Sequence, residues 1–181
     1  VEITTAPLAE DLALQALSDG DAAFALLGWL PSYLPESTWV EPIAREGLAV
    51  IVNPQNGIPG MTMEQLRELY LGRLDNWTSW GGLPGVPLLV SREESAGEFD
   101  FFQAWVMREA RVTSNALLAP NSEWMLNYVA DEQLAVGYVS AGWLDDRVRA
   151  IAIDGVPPSP EAVSANVYPL TRTWFFVANG E

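Results

Sequence analysis

The sequence contains no cysteine, no histidine and no lysine. Without cysteine and histidine it has no thiol nucleophile, no imidazole base, no disulfide framework and neither of the nitrogen and sulfur ligands from which zinc sites are usually built. All nine basic residues are arginines, and 24 acidic residues bring the formal net charge to −15. This balance disfavours binding to nucleic acid or to an anionic membrane surface. We therefore expect no metal, no cofactor and no catalytic residue.

Long hydrophobic runs are also missing. No uninterrupted apolar run reaches the roughly 18 residues that would span a bilayer. The opening residues, VEITTAPLAED, have neither a basic n-region nor an apolar h-region, so we expect a signal segment to be absent from this chain or already removed. The lack of cysteine leaves the compartment open, because many exported proteins also lack disulfides.

Short apolar runs alternate with helical patterns along the 181 residues, which indicates α/β architecture. VEITTA reads as a strand that ends at Thr4 and Thr5, and GLAVIV reads as another strand, ended by Asn53-Pro54. A helix is predicted to begin at Thr62, which forms a Thr-x-x-Gln capping box with Gln65, and to end at Gly72. A further helix is predicted to be capped by Ser122.

The stretch SREESAGEFDFF is predicted to join a strand to a helix, which is where α/β proteins hold anions. It supports two interpretations. In one, the first helical turn receives an external anion beside Arg92. Alternatively, Ser95 and Glu98 form a Ser-x-x-Glu capping box, so that the protein's own carboxylate occupies the helix terminus and pairs with Arg92. The acidic pair Glu93-Glu94 is not expected to do acid–base chemistry, because adjacent side chains usually point apart.

Several segments between about Gly47 and Arg172 form a series of landmarks. They are GLAVIVNPQNGIPGMTMEQLRELYLGRLDNWTSWGG, VSREESAGEFDFF, AVGYVSAGWL, AIDGVPPSPEAV and YPLTR. In order and spacing these landmarks resemble the phosphate-binding protein of the phosphate ABC transporter.

This resemblance implies a type 2 periplasmic-binding-protein-like fold, with two α/β lobes around a ligand cleft. The first lobe would comprise residues 1–51 plus 149–181, and the second residues 52–148. Both ends of the chain are expected to be short relative to the family. The resemblance also implies a non-enzymatic, extracytoplasmic, monomeric protein, in the periplasm or as a cell-surface lipoprotein, with an ABC transporter permease as a candidate partner.

The family's turn is similar to Arg-Glu-Glu-Gly-Ser-Gly-Thr, and its arginine, hydroxyls and glycine N–H reach phosphate. Carried over, the resemblance makes Arg92, Ser95, Ala96, Gly97 and Glu98 candidate ligand-binding residues. Ala96 and Glu98 replace the family's serine and threonine, so two neutral donors are lost. The hydroxyls of Thr4 and Thr5 are further candidates, although residues at such positions are more often helix caps.

Three functions stay open from the sequence. The chain captures phosphate or a related oxyanion for a transporter, or it binds a different small ligand. In the third alternative it is a sensor or interaction domain that has lost phosphate binding, with its site filled by Glu98.

Overall fold

The computed structural model describes residues 3–6, 10–30, 34–35, 37–94 and 96–180. Packing divides the chain into two compact units, one of Val1–Arg45 with Arg172–Glu181 and the other of Glu46–Thr171. The predicted lobes are a different division of the chain and stay a prediction. Among the helices of the described residues, none is both long and apolar enough to cross a membrane.

The described residues form helices and strands in alternation, as the sequence predicts. The helices are α1 (Glu10–Asp19), α2 (Met63–Tyr70), α3 (Gly97–Phe102), α4 (Ser122–Asp131) and α5 (Pro160–Ser164). The strands are β1 (Phe24–Leu27), β2 (Thr38–Val52), β3 (Gly60–Met61), β4 (Leu88–Arg92), β5 (Leu117–Ala119), β6 (Ala135–Ser140), β7 (Arg149–Ala150), β8 (Ala152–Ile153) and β9 (Thr171–Asn179). Short 3-10 turns lie at Trp77–Trp80 and Ala141–Trp143, and a π-helical turn continues α3 over Gln103–Met107.

The smaller unit is built on β1 and β9, which pair antiparallel, with α1 packed nearby. Its core consists of Leu17, Ala25, Leu27 and Val177. Helix α1 stops at Gly20, whose φ of 80° favours glycine.

The larger unit is a sheet with strand order β2-β6-β4-β5, in which β7 also pairs with β2. Strands β4, β5 and β6 run parallel, whereas β2 runs antiparallel to β6. Alternate residues of β2 enter two different cores, with Val50 in one and Ile51 in the other. Helices α2 and α3 contribute to the first core and α4 to the second, so the sheet is covered on both faces. The predicted α/β class is confirmed.

Helix α2 shows how local sequence sets an element. The Thr62 side chain accepts a hydrogen bond from the Gln65 backbone N–H at 3.1 Å, and the Gln65 side chain accepts one from the Thr62 N–H at 2.8 Å. Two donors that a helix start leaves without intrahelical partners are thereby satisfied. Gly72, with a φ of 75°, follows the helix. The predicted capping box and end are confirmed.

Asn53 ends β2 and ties it to α4. Its buried side-chain amide donates to the carbonyls of Val129 at 3.1 Å and Ala130 at 2.7 Å. These carbonyls lie in the last turn of α4, where intrahelical donors are lacking. One side chain therefore satisfies the end of a helix that lies far away in the sequence.

Outside the turn that follows Arg92, two predictions of local structure are wrong. Residues 3–6 form no strand, so Thr4 and Thr5 do not end one, and both are exposed. Helix α4 is capped by Asn121, whose side chain accepts from the Trp124 N–H at 2.8 Å. Ser122 is instead the first helical residue, and its hydroxyl is engaged elsewhere.

Candidate functional site

The candidate site lies in the larger unit, where β4 ends at Arg92. Strand β5 runs beside β4 in parallel, with Ala119 opposite Arg92. Helix α3 begins a few residues after β4, and α4 begins a few residues after β5. In open α/β sheets ligands bind outside the carboxyl ends of the strands. The chain therefore brings Arg92 and two helix starts to the kind of edge at which anions are held.

The backbone at Arg92 is fixed by a buried tyrosine. The Tyr138 hydroxyl accepts a hydrogen bond from the Arg92 N–H at 3.1 Å and lies 2.8 Å from the Ser91 hydroxyl. Its ring stacks on Phe102 with centroids 4.1 Å apart. Burial raises the pKa of Tyr138 to about 12, although the hydrogen bonds with Ser91 and Arg92 act in the opposite direction. The phenol is thus neutral at physiological pH and serves as a fixed polar anchor.

The Arg92 side chain is buried beside a hydroxyl and a carboxylate. Arg92 Nη1 donates to Ser122 Oγ at 3.1 Å, and Ser122 Oγ donates to Glu98 Oε1 at 3.2 Å. Arg92 Nη2 lies 3.9 Å from Glu98 Oε2, which is an ion pair but too long for a hydrogen bond. The predicted pairing of Arg92 with Glu98 is therefore present, and most of its connection runs through Ser122.

The guanidinium is not fully satisfied. Only 8% of Arg92 is exposed, and its Nε is buried with no acceptor among the residues that the structure describes. Buried N–H groups usually have a hydrogen-bond partner, and a charged one is costly to leave without it. The Arg92 Nε–H can therefore donate a hydrogen bond to an acceptor atom of a ligand.

The predicted capping box at this turn is wrong. The N-cap of α3 is Ala96, which makes no side-chain cap hydrogen bond, and Gly97 is the first helical residue. The helix thus begins one residue later than a cap at Ser95 requires, and Glu98 is directed to Ser122 instead. Ser95 itself lies outside the described residues.

The other predicted contacts lie in different parts of the chain: Ala96 and Gly97 belong to the turn that follows Arg92. Thr4 and Thr5 belong to the smaller unit, and they stay predicted ligand contacts. The sequence does not reveal Ser122 as a site residue. The strand β5 is only three residues long, and no local pattern indicates that α4 lies beside β4. In the described part of the chain no group of three or more acidic residues could hold a metal ion.

Comparison with known proteins decides the family. A family model described as a PBP superfamily domain matches residues 5–181. The chain belongs to the PBP superfamily. The predicted type 2 binding-protein fold and the predicted resemblance to phosphate-binding proteins are thereby confirmed.

The relatives of this PBP-superfamily chain are phosphate-binding proteins. Phosphate-binding protein PstS of Bacillus subtilis (strain 168) is 30% identical over 140 residues, which are 77% of this chain and 46% of that protein. The crystal structure of an ABC-type phosphate transport receptor from Vibrio cholerae has a TM-score of 0.87 at 26% identity, covering 94% of this chain and 72% of that chain. A structure from Clostridium perfringens with bound phosphate has a TM-score of 0.75 at 27% identity, covering 93% of this chain and 70% of that one. The chain spans about half the length of the curated relatives that it matches.

Proposed function

We propose that the chain is the ligand-binding part of an extracytoplasmic solute-binding protein that captures phosphate or a related oxyanion without catalysing a reaction. The observation that carries the proposal is the buried, incompletely satisfied guanidinium of Arg92. A tetrahedral oxyanion supplies several acceptor oxygens and a compensating charge. Arginine, with its planar fork of donors, is the side chain best suited to receive it.

The surroundings of Arg92 support the proposal, because they hold this residue in place. Its backbone is fixed by Tyr138, and its side chain is restrained by Ser122. A site that is ordered before the ligand arrives loses less conformational entropy on binding. The arrangement therefore favours recognition of a small rigid anion over recognition of a flexible partner.

The relatives support the same function. The names of the matched proteins from B. subtilis and V. cholerae refer to phosphate binding and phosphate transport, and the C. perfringens structure holds phosphate. They do not favour the alternative of a sensor or interaction domain that has lost phosphate binding. A permease partner, an extracytoplasmic location and a monomeric state belong to this proposal. So do the lobes 1–51 plus 149–181 and 52–148, and the placement of Thr4, Thr5, Ser95, Ala96, Gly97 and Glu98 at the ligand site.

Isothermal titration calorimetry with inorganic phosphate tests the proposal on the 181-residue chain. We expect saturable binding of one phosphate per chain. Arg92→Met should weaken it roughly a hundredfold, because charge-assisted hydrogen bonds are lost. The phosphate affinity of Arg92→Lys should lie between those of the unmodified chain and Arg92→Met, since lysine keeps the charge and lacks the planar fork of donors.

Arg73 provides the matched control. Its side chain is 63% exposed and pairs with Glu68 on the surface. Arg73→Met removes the same charge from the chain and should leave phosphate affinity within about twofold, because exposed charges are well screened. Absence of phosphate binding in the unmodified chain, or binding that survives Arg92→Met, would contradict the proposal.

A further inference from the structure

The contact between Arg92 and Glu98 is indirect. A hydrogen-bonded guanidinium–carboxylate pair normally has a nitrogen-to-oxygen distance of about 2.7–2.9 Å. Here Nη2 and Oε2 are 3.9 Å apart, and Ser122 Oγ completes the link by accepting from Arg92 and donating to Glu98. The Glu98 carboxylate is therefore held near the guanidinium without accepting a hydrogen bond from it directly.

We propose that Glu98 is an intramolecular competitor for Arg92, and that Ser122 keeps this carboxylate in place until an external oxyanion displaces it. This inference rests on the proposed function, because the displacing ligand is the oxyanion that Arg92 receives. Glu98 and Ser122 would then set the affinity of the site, and neither residue would be required for the anion to bind.

The charges at the site support competition. Arg92 and Glu98 carry opposite charges, and their side chains are only 10% and 19% exposed. In partly buried surroundings charges interact more strongly than in water. An arriving anion must share the guanidinium with the Glu98 carboxylate, whose Oε2 lies 3.9 Å from Nη2, or displace that carboxylate. Both lower the affinity of the anion, because the two negative charges repel each other.

The position of Ser122 leaves its hydroxyl available for this task. The N-cap function of α4 is performed by Asn121, whose side chain accepts from the Trp124 N–H. Ser122 is the next residue, is only 5% exposed, and uses its hydroxyl both as an acceptor from Arg92 and as a donor to Glu98. Its side chain thus links two charged groups that start from different elements.

The test compares Glu98→Gln with Glu93→Gln by calorimetry, with inorganic phosphate as the probe. Glutamine keeps the size of the side chain and removes its charge. Glu93 is exposed in the same turn, so its variant changes the net charge equally. We expect Glu98→Gln to tighten phosphate binding at least tenfold and Glu93→Gln to change it less than twofold.

Ser122→Ala tests the bridging role. It should also tighten phosphate binding, by less than Glu98→Gln does. The double variant Glu98→Gln/Ser122→Ala should bind no more tightly than Glu98→Gln alone, since without the carboxylate there is no competitor to hold. A thermal melt of each variant without phosphate identifies a purely structural role, which would lower the midpoint of unfolding without tightening binding.

The outcomes separate this inference from the proposed function. The unmodified chain could bind phosphate through Arg92 while Glu98→Gln binds it equally or more weakly. That result would overturn the competitor role of Glu98 and leave the proposed oxyanion-binding function intact. If neither the unmodified chain nor Glu98→Gln binds phosphate, both are overturned.

Discussion

At the scale of single residues, Tyr138 holds the backbone of the site in place. Its hydroxyl accepts from the Arg92 N–H and lies within hydrogen-bond distance of Ser91, while its ring is stacked on Phe102. All these atoms are buried, so water cannot replace a missing partner. In the proposed function Tyr138 acts on the ligand only through Arg92.

We predict that Tyr138→Phe lowers the free energy of unfolding by about 2 kcal/mol, because the Arg92 N–H is left buried without its acceptor. Urea unfolding followed by tryptophan fluorescence measures the change. Tyr128→Phe is the control, since Tyr128 is only partly buried on α4 and should cost less than about 0.5 kcal/mol. A loss no larger than that of the control would contradict the anchoring role.

Individual site residues could be predicted only where the signal is local. Arg92 can be predicted as a candidate anion-binding residue because an apolar strand precedes it and a helical pattern follows. Its pairing with Glu98 could be anticipated from their closeness in sequence. Ser122 is 30 residues from Arg92, and their contact depends on the pairing of β4 with β5, which single-sequence periodicity does not reveal.

At the scale of elements, the same contrast separates α2 from α4. The capping box of α2 lies within four consecutive residues, and its prediction is confirmed. The end of α4 is satisfied by Asn53, 76 residues before Val129. At the start of α4, the adjacent residues Asn121 and Ser122 are both good N-caps. The sequence alone does not show which of the two side chains caps the helix and which forms tertiary hydrogen bonds.

Asn53 gives the prediction at this scale. Asn53→Ala should lower the free energy of unfolding by about 2–3 kcal/mol, because two buried carbonyls of α4 lose their donor. Asn53→Asp keeps the size and the oxygen that accepts from the Gln55 N–H at 2.9 Å, and lacks the amide donors.

The aspartate variant should therefore be at least as destabilised at pH 7 as the alanine variant, because a buried carboxylate would face carbonyl oxygens. Urea unfolding of both variants measures this order. An Asn53→Asp protein as stable as the unmodified chain would show that the link between β2 and α4 contributes nothing.

At the scale of the whole molecule, composition and burial together predict how the protein responds to alkali. The chain has five tyrosines and neither lysine nor cysteine, so tyrosines dominate its titration near pH 10. Burial raises the pKa of Tyr70, Tyr138 and Tyr168, the second of them to about 12. In the unfolded chain these phenols titrate near their ordinary value of about 10.

The sign of the effect follows from linkage. A group whose pKa is higher in the folded state contributes stability below its unfolded pKa, and this contribution is lost as the pH rises towards the folded pKa. We predict that the free energy of unfolding is nearly constant from pH 8 to about 9.5 and then falls steadily towards pH 12. Urea unfolding across this range measures it, and Tyr138→Phe should have a shallower decline. A flat profile would contradict the burial of these phenols.

The overall class of the fold is predictable from the sequence, whereas the order of its strands is not. Alternating apolar runs and helical patterns indicated α/β architecture, and the landmark segments indicated the family. The order β2-β6-β4-β5 and the antiparallel pairing of β2 with β6 connect strands far apart in the sequence. Such pairings depend on which strand faces fit together, and one sequence does not encode that in any local pattern.

The central claim is that the buried guanidinium of Arg92 receives an oxyanion, and the Arg92 Nε–H resonance tests it most directly. Phosphate would be titrated into the 15N-labelled chain, with Arg92→Lys used to assign the peak. Arg147 serves as internal reference, because its Nε already donates to Asp145 at 2.9 Å. We predict that the Arg92 signal moves downfield and saturates with the midpoint found by calorimetry, while the Arg147 signal stays in place. Saturable phosphate binding with an unmoved Arg92 signal, or no binding at all, would contradict the account.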